Sequence, residues 1–306
     1  TTSMTEPSMK PTYVFLKDRG TLAIDGPEAR TFLQGVISND IEKATPTQAI
    51  YAALLTAQGK YLHDFFIVEH EGALLIDCEE ARRADLFRRL SMYKLRADAT
   101  LSDQSEQFTT VALFGDGIAE LCDLAGQPGT AHSFHDGIAF IDPRHPDMGI
   151  RSILPQGTAE QTVNNLNITA CTLQNYDAQR LALGLPDSSR DMIIEKSILL
   201  ENGFDELHGV DWDKGCYIGQ ELTARTKHRG LIKKRLIPVS IEGSPPEAGT
   251  IIRWDEKDAG EMRSSIDGMG LALLRLEYLE KAKQAGKPFV VGDAKLTPHV
   301  PDWAEF

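Results

Sequence analysis

The feature that most constrains the fold is an order of strand and helix patterns that runs through the chain twice. In the first pass, short apolar runs predict strands and amphipathic runs predict helices. The predicted order is strand 21–25, helix 26–37, strands 50–56, 61–69 and 73–77, helix 79–92 and strand 95–101. This is the order of a ferredoxin-like layer, in which two helices cover one face of a sheet.

The second pass has the same element order, although its letters do not repeat those of the first. It runs through strand 108–114, helix 118–124, strands 137–141 and 149–154, helix 158–166, strand 169–173 and helix 175–183. Residues 188–213 then show little regular pattern. Beyond residue 234, short strands at 235–241, 250–254 and 270–276 are separated by turn-forming clusters, which is typical of a small antiparallel barrel.

These patterns divide the chain into four parts. We predict a flexible N-terminus at 1–12, a first ferredoxin-like layer at 13–103, a second such layer at 104–233 and a C-terminal β-barrel domain at 234–306. The predicted fold class is therefore α+β, with two similar layers packed together and a barrel attached to them.

Charge and cysteine spacing exclude several functions. The net charge of −13 argues against nucleic acid as a partner, and no apolar run approaches the roughly 20 residues that span a bilayer. The four cysteines lie far apart without a Cys-x-x-Cys pair, which predicts no metal site and a reducing compartment. The first ten residues lack the pattern of a signal peptide. We expect a cytoplasmic protein or, from a eukaryote, a mitochondrial-matrix protein whose transit peptide has been removed.

One stretch of the sequence points to a reactive thiol. Gly215 and Gly219 flank Cys216, and a run of good helix formers begins at Gln220. A thiol at a tight turn before a helix would lie near the positive end of the helix dipole and near Lys214, and both stabilise the thiolate. The alternative is that Cys216 is a small buried packing residue, as most free cysteines are. The spacing alone leaves both interpretations open.

Other candidates have a structural explanation beside the functional one. Residues 225–235 hold six Lys or Arg and no acid, which suits either a solvated helix end or a site for a carboxylate or phosphate ligand. Trp212 can pack flat on a ring ligand or lie in the core. The adjacent His63 and Asp64 can be a surface contact, since an acid/base role would need a pocket around them.

Residues 214–225 read Lys-Gly-Cys-Tyr-Ile-Gly-Gln-Glu-Leu-Thr-Ala-Arg and resemble the signature of the YgfZ-type folate-binding proteins of iron–sulfur cluster maturation. Those proteins are relatives of the aminomethyltransferase, or T-protein, of the glycine cleavage system. The residues after the signature resemble the mitochondrial branch of the group especially. Weaker matches occur in the expected order at 19–20, 32–35, 39–40, 57–60, 93–96, 142–144, 180–186 and 270–275.

The resemblance implies a GcvT-like three-lobed ring, in which the two layers and the antiparallel barrel surround a cavity for tetrahydrofolate. It implies that Cys216 is the key functional residue. The implied role is assembly or repair of 4Fe–4S clusters on client enzymes such as radical-SAM and aconitase-type proteins, alongside A-type iron–sulfur scaffold proteins, with tRNA modification as a connected process. The residues expected to contact the folate are Asp64, Arg96, Trp212, Lys214, Arg225 and Lys227.

Two positions depart from the T-protein. Where that protein has a folate-clamping glutamate in an Arg-x-Glu-Ala-Gly run, this chain has Ala182, and its Asp-Asp pair after the first hairpin turn is replaced by His63 and Asp64. An alanine side chain cannot hydrogen-bond a pterin edge. We therefore favour a maturation factor over a turnover enzyme. Folate-dependent one-carbon (aminomethyl-type) transfer is the alternative, and Asp64 is the residue that discriminates between the two.

Overall fold

The computed structural model describes residues 9–230 and 232–306, so most of the predicted flexible N-terminus lies outside the described residues. The helices are α1 (Ala29–Gln34), α2 (Arg83–Lys94), α3 (Ile118–Leu121), α4 (Ala159–Asn164), α5 (Leu173–Leu183), α6 (Ser188–Asp191), α7 (Gln220–Arg229) and α8 (Leu276–Ala285). Within the described ranges, none of these helices has the length and apolar character needed to cross a membrane.

The strands fall into two sheets and a barrel. They are β1 (Thr12–Phe15), β2 (Arg19–Asp25), β3 (Ile50–Leu55), β4 (Tyr61–His70), β5 (Ala73–Glu79), β6 (Thr100–Asp103), β7 (Phe108–Phe114), β8 (Ala131–Phe134), β9 (Gly137–Ile141), β10 (Ile150–Pro155), β11 (Thr169–Ala170), β12 (Lys234–Glu242), β13 (Ile251–Trp254), β14 (Lys257–Ile266), β15 (Met269–Arg275), β16 (Phe289–Val291) and β17 (Ala294–Pro298).

The first sheet has the order β3-β4-β5-β2-β6, and all of its neighbouring strands are antiparallel. Side chains alternate along β2, so Leu22 and Ile24 pack in one core cluster whereas Ala23 packs in another. The first of these clusters also holds Leu33 of α1 and Leu86 of α2. The two helices therefore cover one face of this sheet, as the predicted ferredoxin-like order requires.

The second sheet has the order β11-β1-β7-β10-β9-β8. Its strand β1 pairs antiparallel with β7 and parallel with β11. The predicted start of the first layer at residue 13 is therefore wrong for this strand, which precedes the first layer in sequence but joins the second in space. A strand of four residues carries too little pattern to reveal distant partners.

The remaining faces of the two sheets share one core. Tyr51 and Phe66 of the first sheet lie in the same buried cluster as Phe140 of the second. The irregular stretch 188–213 also contributes, because the ring of Phe204 stacks on Tyr51 with centroids 4.8 Å apart. This stretch is ordered by tertiary packing rather than by a local repeat.

Strands β12 to β17 close into a barrel in the order β12-β15-β14-β13-β16-β17. The predicted α+β architecture of two layers and a C-terminal antiparallel barrel is confirmed. Arg180 of α5 joins the barrel to the layers, because it donates to Asp191 of α6 at 2.7 Å and to Ser264 of β14 at 3.0 Å. Asp191 also accepts from the backbone N–H of Ser264 at 3.0 Å.

Candidate functional site

A cavity of about 330 Å³ lies between the lobes. Its walls include Asp64 and Phe66 of β4, Arg151 of β10, Tyr176 of α5 and Ser265 of β14. Both layers and the barrel therefore contribute side chains to this central cavity. Its position agrees with the cavity that the resemblance implies.

Asp64 is held in the cavity wall by two tyrosines. The hydroxyls of Tyr51 and Tyr61 each donate to one oxygen of its carboxylate at 2.7 Å, and Asp64 is 5% exposed. Burial and the neighbouring Asp64 raise the pKa of both tyrosines well above the usual value, so both stay protonated as donors. Because each carboxylate oxygen accepts more than one hydrogen bond, Asp64 keeps acceptor capacity for a ligand.

Asp77 anchors two arginines of the cavity wall. It accepts from Arg19 at 2.7 Å and from Arg151 at 2.7 and 3.0 Å, and its side chain is fully buried. Burial opposes the ionisation of Asp77, but Arg151 and Arg19 outweigh it and hold the pKa of Asp77 below its usual range. The two guanidinium groups thus share one carboxylate partner.

Arg144 is paired in the same way. Its guanidinium donates to both oxygens of Asp142 at 2.8 and 3.0 Å, and its backbone N–H donates to Asp142 at 2.9 Å. Its side chain lies 4.9 Å from the ring of Phe66, above which Arg151 also lies, at 4.2 Å. A 142–144 turn fixed by its own guanidinium is the simplest interpretation of that sequence, and the geometry agrees with it.

Cys216 lies in the loop before α7 and is exposed, which excludes the buried packing alternative. On its C-terminal side the chain is tight, because Gly219 has φ 82° and a Cβ there would lie 2.4 Å from the carbonyl oxygen of Thr56. On the other side, a Cβ at Gly215 would meet nothing within 4 Å, so the space around that residue is open. Cys216 is not among the residues that line the central cavity.

The ammonium group of Lys214 is used inside the protein. It donates to the carbonyl oxygens of Gln34, Ile37 and Asn39 at 2.9, 2.6 and 2.8 Å. These bonds use all three of its N–H donors and fasten the Cys216 loop to the last residue of α1 and to the loop that follows it. Burial lowers the pKa of Lys214 to about 8. This geometry gives Lys214 a structural role in place of the predicted contact with the thiolate or folate.

Comparison with known proteins places the chain in a family. The family model for the GCVT N-terminal domain matches residues 16–123, and that for the CAF17 C-terminal beta-barrel domain matches residues 233–306. The iron–sulfur cluster assembly factor IBA57 homolog of Pyricularia oryzae is 32% identical over 305 residues, which cover 90% of this chain and 75% of that protein. The Mus musculus factor IBA57 is 30% identical over 313 residues, covering 94% and 84%. The chain belongs to the IBA57 family.

The fold agrees with membership of the IBA57 family. The glycine cleavage system aminomethyltransferase T of Bartonella henselae superposes with a TM-score of 0.78 at 15% identity, covering 97% of this chain and 87% of that one. The implied GcvT-like fold is therefore confirmed, and the IBA57 relatives confirm the mitochondrial-type branch. Both IBA57 relatives are named mitochondrial, which agrees with the mitochondrial alternative and not with the cytoplasmic expectation.

The remaining predicted site residues lie apart from the central cavity of this IBA57-family chain. Trp212 and Lys227 come together at the surface, where both bind Asp205, the Trp212 indole donating at 2.8 Å. Lys227 also lies over the Trp212 ring at 5.6 Å. Arg225 pairs with Glu221 along α7 at 2.6 Å. This agrees with a solvated helix end rather than with a shared anion site.

Two further predictions concern Arg96, which lies in a turn, and the adjacent residues His63 and Asp64, which lie on β4. Arg96 is exposed in the turn after α2 and does not line the central cavity. His63 and Asp64 are adjacent on β4, and their side chains point to opposite faces because a strand alternates. His63 binds Asp85 of α2 at 2.8 Å, whereas Asp64 binds the two tyrosines. They therefore do not form an acid/base pair.

Sequence analysis missed the residues that build the cavity wall. The sequence pattern indicates only that Asp77 ends a strand and that Arg19 belongs to a weak motif match. The available signal was a charge at the end of the apolar run Leu74-Leu75-Ile76, since a buried aspartate needs a cationic partner. The identity of that partner, Arg151 on the second sheet, depends on the packing of the two layers.

Proposed function

We propose that the chain takes part in the assembly of iron–sulfur clusters in mitochondria and that Cys216 is the thiol that binds the cluster. The observation that supports this most directly is the exposure of that thiol. Cys78 and Cys122 are buried and Cys171 is half-buried. Burial raises the pKa of Cys78 to about 12 and of Cys122 to about 11, and raises that of Cys171. Because the thiolate is the ligand, those three are poorly suited to bind a cluster.

One thiolate cannot hold a cluster alone, because such clusters are bound by several ligands. In residues 9–230 and 232–306 there is no group of three or more His, Cys, Asp or Glu residues placed to hold a metal ion. The other ligands would therefore come from a second protein, either an A-type scaffold that delivers the cluster or a client that receives it. The open space around Gly215 leaves room for that protein's backbone beside the sulfur.

The test replaces the chain in cells with a Cys216→Ala variant and measures the activity of 4Fe–4S client enzymes. We expect client activity to fall while the abundance of the variant stays normal, because the side chain is exposed and its loss leaves no cavity. Cys171→Ala is the matched control, since it removes a thiol from another part of the surface. Full client activity with Cys216→Ala at normal abundance would contradict the proposed role of the thiol.

We further propose that the central cavity binds the pterin ring of tetrahydrofolate, a carrier of one-carbon groups. The chemistry of the wall fits such a ring. Asp64 offers carboxylate oxygens to the ring's N–H donors, Tyr176 offers aromatic surface, and Gln174 offers an amide. Titration calorimetry with tetrahydrofolate should give binding that Asp64→Asn weakens. The absence of heat with the unmodified chain would contradict this part of the proposal.

Folate-dependent one-carbon transfer is the second candidate function, and the observation in its favour is the tyrosine-held Asp64 in the cavity. Against it, Ala182 is exposed and is not among the cavity residues, so nothing replaces the T-protein's glutamate at that position. An assay of aminomethyl transfer separates the candidates. If Asp64→Asn abolishes a measurable transfer while Cys216→Ala leaves client activity intact, the transferase is the better description.

A further inference from the structure

A groove of about 320 Å³ lies beside the Cys216 loop, between α1 and the end of α2. Its apolar lining comes from Phe32 and Val36 on one side, Tyr93 on the other and Ile218 at one end. Ile218 is two residues from Cys216 in the chain. We call this the α1–α2 groove.

The walls of the α1–α2 groove are fixed by backbone hydrogen bonds at both ends. At one end, the N–H of Glu28 donates to the carbonyl of Asp98 at 3.0 Å. At the other, the N–H of Ile218 donates to the carbonyl of Gly35 at 3.1 Å. The groove is therefore formed without a ligand, and an occupant would not have to order its walls.

The rim of the groove displays a leucine in an unfavourable conformation. The N–H of Ala97 donates to the carbonyl of Lys94 at 2.9 Å, which closes a tight turn with Leu95 at its second position. Leu95 has φ 47° and ψ −108°, values that match the second position of a type II′ turn, where glycine is strongly preferred. Its side chain is 81% exposed, so no packing inside the chain offsets the strain. Strained residues of this kind cluster at binding sites.

Exposed apolar and cationic side chains accompany Leu95. Met92 on the last turn of α2 is 60% exposed. Lys94 and Arg96 flank Leu95, and neither has a carboxylate partner within 4.0 Å among residues 9–230 and 232–306, although the whole chain carries a net charge of −13. Arg89, one α2 turn earlier, is by contrast bound by Asp85 at 2.7 Å. The rim therefore combines free positive charge with free apolar surface.

We propose that the α1–α2 groove and its rim, Met92 to Arg96, form the docking surface for the protein that exchanges a cluster with Cys216. The occupant that this chemistry fits is a protein segment that presents an apolar side chain flanked by carboxylates. Apolar anchors fill the groove and contact Leu95, and the carboxylates pair with Lys94 and Arg96. This inference rests on the proposed function, because only a partner of Cys216 has reason to sit beside Ile218.

The experiment measures the affinity of the full chain for a purified A-type scaffold protein by titration calorimetry. Leu95→Gly removes the side chain and suits the turn, so it should weaken binding roughly tenfold or more while the melting temperature stays the same or rises. The double variant Lys94→Glu, Arg96→Glu should weaken binding to a similar extent. The affinity of the unmodified chain for the scaffold protein should fall as salt is added. Leu121→Ala, at a 43% exposed leucine on α3, is the control and should bind within about twofold of the unmodified chain.

Each of the following results would overturn the inference. Unchanged binding by Leu95→Gly, or no binding of the unmodified chain to the scaffold protein, removes this docking surface. So does a shift from dimer to monomer in sedimentation caused by Leu95→Gly, which would make a second copy of the chain the occupant. Binding to phosphatidylserine vesicles but not to the scaffold would assign the surface to lipid. If Cys216→Ala still lowers client activity in cells in any of these cases, the docking inference fails while the proposed function stands.

Discussion

In the wall of the central cavity, Arg19, Arg144 and Arg151 are each bound by a fully buried aspartate. By contrast, Lys94 and Arg96 beside the α1–α2 groove have no carboxylate partner within the described residues. Charges that are buried must be paired inside the chain, since an unpaired buried charge is too costly to fold. Charges at the groove rim are solvated and remain available to another protein.

Apolar side chains also differ in exposure between the two regions. Phe66 in the cavity is buried beneath guanidinium groups, while Leu95 at the groove is 81% exposed and held in a strained turn. The cavity is therefore built as a stable interior, in which the tyrosine-held carboxylate of Asp64 keeps acceptor capacity. The groove instead displays its side chains to solvent. A change in the cavity should act first on stability, and a change at the groove first on association.

The largest expected effect comes from breaking the cavity's charge network. Asp77→Asn removes the carboxylate that pairs with both Arg19 and Arg151, and leaves two buried guanidinium groups without an adequate partner. The free energy of unfolding should fall by about 3–5 kcal/mol. Urea denaturation followed by circular dichroism measures it. Asp258→Asn, at an exposed residue on β14, should change it by less than about 0.5 kcal/mol. A loss for Asp77→Asn as small as the control's would refute the structural role of the network.

The next effect concerns the support of the Cys216 loop. Lys214→Met keeps the apolar stem but leaves the carbonyls of Gln34, Ile37 and Asn39 without their donor. We expect a loss of roughly 2 kcal/mol, since hydrogen bonds from charged groups contribute more than neutral ones. Hydrogen exchange should show faster exchange at the N–H of Ile218, which is bonded to Gly35. Lys17→Met, at an exposed lysine, should alter neither measurement.

A smaller effect on stability depends on pH and involves His63, whose side chain lies on the face of β4 opposite to that of Asp64. Burial and the neighbouring Arg82 lower the pKa of His63 from 6.5 to about 4, with Asp85 opposing them. Between these values the unfolded chain binds a proton that the folded chain does not, so stability falls as the pH drops below 6.5. At pH 5 the loss relative to pH 7 should be about 2 kcal/mol.

Denaturation at pH 7 and pH 5 measures this difference. His63→Gln should lose most of it, and His135→Gln, at an exposed histidine, should keep it. An equal pH dependence in the unmodified chain and in His63→Gln would assign the effect to other groups.

The contrast between the regions also explains what the sequence could predict. Strand 108–114 was predicted with the observed bounds because its pattern is local. Likewise, a helix beginning at Gln220 followed from the glycines and helix formers near it in the chain, whereas the exposure of Cys216 just before that helix did not. The pairing of Asp77 with Arg151 could not be predicted, because it depends on how two sheets pack face to face. The three carbonyls that hold Lys214 belong to the last residue of α1 and to the loop after it, far away in sequence, so proximity in the chain suggested the wrong partner.

The smallest effect is a gain in stability at the groove. Leu95→Gly relieves a positive φ that costs a non-glycine residue about 1 kcal/mol, while glycine's greater freedom in the unfolded chain takes back about half of it. With an 81% exposed side chain, little packing is lost. The free energy of unfolding should therefore rise by roughly 0.5 kcal/mol. Leu95→Ala keeps the strained backbone and should leave the free energy of unfolding unchanged. This variant separates the backbone effect from the loss of the side chain. A fall of more than about 1 kcal/mol in Leu95→Gly would mean that Leu95 packs inside the chain, and the groove would then resemble the cavity instead of contrasting with it.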